Sequence, residues 1–114
     1  MKKIEAMIQP AALETVVEAL VRIGISGMTL TGVKGCGRQK GYCELSRGPQ
    51  FRVSVLPKVK LEMIVPDALV EEVIGMLQAG ACTGRIGDGK IAVAPVEEVV
   101  RVRTGERGEK AVWP

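Results

Sequence analysis

The chain opens on strict alternation. Ile4, Ala6 and Ile8 fall on one side of an extended backbone, and Lys3, Glu5 and Met7 on the other. A period of two predicts a half-buried strand, and Pro10 ends it. The period then lengthens. Leu13, Val16, Val17, Leu20 and Val21 recur at helical spacing, and Gly24 closes that helix. A second strand is expected over residues 28–34. A third is expected over 58–65, with Val59, Leu61, Met63 and Val65 on one face and Lys58, Lys60, Glu62 and Ile64 on the other. Asp67 after Pro66 predicts a helix cap. Leu69, Val70, Val73, Met76 and Leu77 then form a second helical stripe, expected to stop at Gly80. A fourth strand is predicted at 90–94. A further extended segment at 99–103 would set Val100 and Val102 opposite Arg101 and Arg103. The tail at 105–109 reads as polar and mobile.

The order strand, helix, strand, strand, helix, strand predicts an α+β fold. Two βαβ units would make a ferredoxin-like βαββαβ sandwich with both helices on one face of an antiparallel sheet. The opposite face would carry Lys3, Glu5, Met7, Thr29, Val33, Lys60, Glu62 and Ile64. This semi-polar surface suits water, a ligand or another subunit.

One stretch breaks every period. From Gly35 to about Val55 the chain holds Gly35, Gly37, Gly41, Gly48 and Pro49 with Arg38, Lys40, Arg47 and Arg52. A loop of roughly twenty residues in a small domain points to function.

Composition narrows the classes. The 114 residues suffice for one domain, and 46% hydrophobic with 25% charged content is ordinary for a globular protein. One Trp, one Tyr and one Phe leave no stacking platform for single-stranded nucleic acid. Sixteen basic and thirteen acidic residues give a net charge of +3, interspersed rather than clustered, so no nucleic-acid partner is indicated. Three cysteines, Cys36, Cys43 and Cys82, lack C-x-x-C spacing, and the chain has no histidine, so a structural zinc site is not expected. No apolar run matches a membrane span, and the N-terminus lacks the pattern of a signal peptide, which predicts a cytoplasmic protein.

Three segments combine glycine with a cation. Gly35-Cys36-Gly37-Arg38-Gln39-Lys40-Gly41 reads either as a flexible loop root or as backbone turned toward an anion. Gly84-Arg85-Ile86-Gly87-Asp88-Gly89-Lys90-Ile91 matches G-x-x-x-x-G-K, but Ile91 replaces the magnesium-binding Ser or Thr and the flanks are reversed, helix before and strand after. It is therefore a tight turn or an anion nest with Lys90 as point charge, and not a true P-loop. Arg101 and Arg103, two apart on an expected strand, either grip phosphate oxygens or lie solvated at an edge. Lys58 and Glu62, four apart on one face, suggest a cation for a small carboxylate or an ordinary ion pair. Without histidine, no Ser-His or Cys-His nucleophile is available, so an enzyme is not expected.

These segments resemble the PII nitrogen-regulatory signal-transduction family over nearly the whole chain. The resemblance is carried by residues 37–41, Leu56-Pro57-Lys58-Val59-Lys60-Leu61-Glu62, residues 83–91 and Arg101-Val102-Arg103-Thr104-Gly105-Glu106. It implies one PII-type domain over 1–114, assembled as a homotrimer, with a T-loop at about 36–55, a B-loop at about 82–90 and a C-loop at about 102–114. It implies ATP or ADP bound between subunits. Met7, Thr29 and Ile64 would lie on the adenine side, and Glu62 near ribose or adenine. Gly37, Arg38, Gln39, Gly87, Asp88, Gly89, Lys90, Arg101 and Arg103 would meet the phosphates. It implies 2-oxoglutarate held through Mg2+ with Gln39 as metal ligand, aided by Lys58 and Gly87. The implied role is to dock onto target proteins such as an ammonium transporter, reaching the membrane only through that target. Arg47 is a candidate contact, and Phe51 stands where many bacterial members carry a modifiable tyrosine. A relative that binds adenine nucleotide but senses another small anion is the alternative. Cys36 and Cys43 bracket the loop root, and small cysteines without redox function are the favoured reading.

Overall fold

Alternation and helical stripes both converge on one apolar layer. The computed structural model describes residues 1–37 and 54–113. Strand β1 (Lys2–Ile8) is followed by a 3-10 turn (Pro10–Ala12) and helix α1 (Leu13–Arg22), then strands β2 (Thr29–Gly37) and β3 (Ser54–Val65). A second 3-10 turn (Asp67–Leu69) leads into helix α2 (Val70–Ala81), strand β4 (Gly89–Pro95) and a short helix α3 (Glu109–Val112). The sheet order is β2-β3-β1-β4, and each neighbouring pair is antiparallel. β1 and β2 are separated by β3, and β3 and β4 by β1, so the two βαβ units interlock. The α+β ferredoxin-like sandwich is the observed fold.

The core follows the predicted faces. Ile4, Ala6 and Ile8 of β1, Leu61, Met63 and Val65 of β3, Val16 and Leu20 of α1, and Val73 and Leu77 of α2 are buried together. Full burial of one such aliphatic side chain contributes about 1.5–3 kcal/mol. Val21, placed in the α1 stripe by its spacing, is 55% exposed. It lies just past the edge of the buried arc.

The structure departs from expectation at several points, among them β3, which begins at Ser54 and not at residue 58, and β4, which gains one residue at each end. β2 does not stop at residue 34: Gly35, Cys36 and Gly37 pair with Leu56, Val55 and Ser54 of β3. Ladder partners extend a strand where glycine carries no hydropathy signal. Asp67 does not cap a helix with its side chain. Its carboxylate accepts a hydrogen bond from the N-terminal ammonium at 2.8 Å, and a 3-10 turn intervenes before α2. Gly80 does not end α2, which continues to Ala81. A Cβ at Gly80 would sit 2.8 Å from Val16 Cγ2, so this glycine lets α2 approach α1. Residues 99–103 form no strand: Val100 makes a lone bridge to Arg107 around a turn. The tail is structured, with α3 hydrogen-bonded to the Arg101 side chain.

Candidate functional site

Residues 83–88 leave the end of α2 as a turn closed by one carboxylate. Asp88 accepts hydrogen bonds from the Thr83 amide at 2.7 Å, the Gly84 amide at 3.0 Å and the Thr83 hydroxyl. These donors, the Thr83 hydroxyl foremost, hold the Asp88 carboxyl below its ordinary value. The next residue closes the geometry. Gly89 has φ of 103°, and a Cβ there would lie 1.7 Å from the Met7 carbonyl oxygen, so only glycine fits.

The Gly87 carbonyl points back to the sheet. It accepts from Gln9 Nε2 at 2.8 Å and from Lys58 Nζ at 2.5 Å. Lys58 reaches it by lying across Gly35, where a Cβ would stand 2.9 Å from the lysine Cγ. The glycine of the loop root is thus a slot for the Lys58 stem.

The semi-polar face is arranged in cross-strand rows. Thr31, Lys60, Met7 and Lys90 occupy one register, which sets two ammonium groups on either side of Met7. Thr29, Glu62, Glu5 and Ala92 occupy the next. Glu62 pairs with Lys3 and Lys60, each at 3.4 Å. The hydrogen bond from Lys3 is the main cause of its lowered carboxyl pKa. Lys58 and Glu62 do not pair with each other. Four strand residues separate them by roughly 13 Å, and nearer partners take both.

The remaining predicted residues lie at the far end of the sheet. β4 runs from Gly89, opposite Ile8, to Pro95, opposite Lys2. Seven strand residues cover about 20 Å, so Lys90 and Arg101 do not converge within one protomer. Arg101 donates to Glu106 at 3.2 Å and to the carbonyl oxygens of Lys110, Ala111 and Trp113 at 3.3, 3.5 and 2.9 Å. Arg103 is exposed in the adjoining turn. There the tail residues Ala111, Val112 and Trp113 close a pocket of about 440 Å3 with Thr29, Glu62 and Ile64. Three of the four residues expected around adenine and ribose therefore share one cavity, while Met7 sits in the lysine row.

Gly37 contributes backbone to the end of β2, and Cys36 beside it is exposed. The expectations for Arg38, Gln39, Arg47, Phe51 and Cys43 lie outside the described residues. Among the described residues, no group of three or more His, Cys, Asp or Glu side chains could hold a metal ion.

Sequence reasoning missed Gln9, Thr83, Glu106 and Trp113 as members of these clusters. Gln9 could have been found by continuing the alternation of β1 one step onto the Lys58 face. Thr83 and Asp88, five apart around glycines, had the form of a side-chain-closed turn. Glu106 and Trp113 left no periodic trace.

Comparison with known proteins adds a second line of observation. The family model described as nitrogen regulatory protein P-II matches residues 1–106. A nitrogen regulatory protein P-II of Azospirillum brasilense is 59% identical over 112 residues, covering 98% of this chain and 100% of that protein. That of Rhodospirillum rubrum is 57% identical over the same shares. The nitrogen regulatory protein P-II 1 of Escherichia coli is 53% identical, again over 98% of this chain and 100% of its own. Among solved structures, Arabidopsis thaliana PII bound to citrate superposes with a TM-score of 0.80 at 42% identity, covering 99% of this chain and 90% of that one.

Proposed function

Because this chain belongs to the nitrogen regulatory protein P-II family, we propose that it works as a homotrimeric sensor of nitrogen, carbon and energy status rather than as an enzyme. It would bind ATP or ADP and 2-oxoglutarate and regulate cytoplasmic or membrane-bound targets, such as an ammonium transporter, through residues 36–55.

One observation carries this reading. The expected ligand residues fall into two half-sites, Gly87 to Lys90 with Lys58 at one end of the sheet and Arg101 with the tail beyond the other, with Thr29, Glu62 and Ile64 on the face between them and open to the tail. A second copy would bring one half to the other, as a site built between subunits requires. The chemistry of each half suits its role. The glycine-bearing turn with Lys90 and Lys60 nearby offers backbone amides and ammonium groups to phosphate oxygens. Asp88 turns its carboxylate into the loop, where it orders the turn and does not oppose an anion. Thr29, Glu62 and Ile64 offer a mixed polar and apolar wall for adenine and ribose.

Gln39 would be the protein ligand of Mg2+, which would supply the positive charge that lets nucleotide and keto acid bind together. Lys58 would pair with the free carboxylate of the keto acid. Each ligand then raises the affinity of the other by the same factor. ADP lacks the γ-phosphate and would not support the pair, so the loop conformation would report which ligands are bound.

Calorimetry on the purified protein tests this. Clear 2-oxoglutarate binding with Mg-ATP and weak binding without it is the expected result. A monomer by light scattering, with no heat from adenine nucleotide, would defeat it. A second reading, a sensor of another small anion, draws on the citrate bound to the Arabidopsis relative. Citrate titrated in the presence of ATP, binding more tightly than 2-oxoglutarate, would favour that reading.

A further inference from the structure

Among the described residues Trp113 is the only aromatic side chain, since Tyr42 and Phe51 fall outside them. Its backbone is held twice. The Trp113 carbonyl accepts from the Arg101 guanidinium at 2.9 Å, and its amide donates to the Glu109 carbonyl at 3.1 Å. The second bond does not depend on Arg101. The residue is nevertheless left 42% exposed. An indole has a large apolar area to bury, yet this one is fixed at the wall of an open cavity and not packed into the core. The cavity measures about 440 Å3, within the range of roughly 300–1,000 Å3 common to small-molecule sites. Its lining divides by chemistry. Trp113 and Ile64 offer exposed apolar surface, while Thr29 and Glu62 offer a hydroxyl and a carboxylate. A flat heteroaromatic ring suits such a lining, with apolar surface for its face and polar groups for its edge.

We propose that Trp113 is a base-binding residue: its indole forms the stacking wall for the adenine ring of a nucleotide held in this cavity. The inference rests on the proposed function above, in which adenine and ribose lie against Thr29, Glu62 and Ile64. It adds a residue outside the span 1–106 that the family model matches. Base–aromatic stacking uses the π face of both rings, so apolar bulk alone does not replace it. Arg101, expected to meet phosphate, lies one hydrogen bond from that wall, so a single nucleotide can engage both. The tail thus contributes to ligand affinity directly, through a side chain that touches the base.

Two variants of the full-length protein test this, with ATP affinity read by calorimetry and folding checked by thermal melts. Trp113→Leu keeps an apolar side chain and loses the ring. It should weaken ATP binding about tenfold, the scale of one stacked base. Trp113→Phe restores a ring and should stay within about threefold of wild type. Trp113 is the only tryptophan, so emission from the wild-type protein reports the contact directly. ATP should quench it, and inorganic triphosphate, which has no base, should not. Wild-type ATP affinity in Trp113→Leu, equal losses in Trp113→Leu and Trp113→Phe, emission indifferent to bound ATP, or equal quenching by triphosphate would each overturn the inference while leaving the proposed function intact. A wild-type protein that binds no adenine nucleotide would remove both.

Discussion

At one end of the sheet, residues 83–90 are shaped by backbone. Gly89 admits no side chain, Asp88 closes the turn on amide groups, and two donors fix the Gly87 carbonyl. At the other end, backbone bonds from Arg101 to Glu106 and from Gly108 to Val99 close the turn over residues 99–108, and the Arg101 side chain fastens the following tail by gathering three carbonyl oxygens and Glu106. The first arrangement is rigid because each contact constrains dihedral angles of the chain itself. The second is releasable because one guanidinium can exchange carbonyls for other acceptors. The sensor proposed above would use both, a fixed cradle for its ligand and a fastening that can change partners.

The contrast is broken most severely at Gly89. Gly89→Ala places a methyl group against the Met7 carbonyl at a φ of 103°. It should destabilise the protein by about 3 kcal/mol or more, read from the urea midpoint. A wild-type midpoint would show that β4 can shift without penalty and that the cradle is not rigid.

Arg101→Ala tests the fastening. The guanidinium is partly exposed, so its loss should reduce stability by only about 1 kcal/mol. Its local effect should be larger. Trp113 is the only tryptophan, and its emission should shift to the red as the tail detaches. Unchanged emission would mean that α3 is held by apolar contact alone.

Acid should loosen the cradle locally. The Asp88 carboxyl is lowered from an ordinary value of 3.8 by hydrogen bonds that exist when folded. Its stabilisation is complete above that ordinary value and is lost as pH falls from there through the lower folded value. Thr83 and Gly84 amide exchange, corrected for intrinsic rates, should accelerate in that window and not above pH 5. Thr83→Val should produce part of the same loosening at neutral pH.

The smallest effect is expected at Asp67, which binds the N-terminal ammonium in an exposed setting at 2.8 Å. Asp67→Asn should move the melting temperature by less than about 2 °C. A larger shift would add the N-terminus to the rigid parts.

Much of the site was legible because its residues sit on strands or in glycine turns. Alternation placed Met7, Lys60 and Glu62 on one face, and the register then set Met7 between Lys60 and Lys90. Glycine spacing marked 84–90 as special backbone. The C-terminal group was misread, since Val99 to Arg103 alternates like a strand yet has no ladder partner beyond the Val100–Arg107 bridge. Alternation reports a preference for extended backbone, while a strand also requires a neighbour with free hydrogen-bonding groups.

The sequence by itself determined the periods of its segments, hence the element order, the apolar layer, and the positions where glycine must stand. Those are local properties, fixed by side-chain volume, polarity and allowed dihedral angles over a few residues. Tertiary structure decided which charges meet: Lys58 with Gly87 rather than Glu62, Asp67 with the N-terminus rather than a helix, and Arg101 with the tail. Such pairings join residues far apart in the chain, and the distances that choose among them exist only after the sheet has set its register.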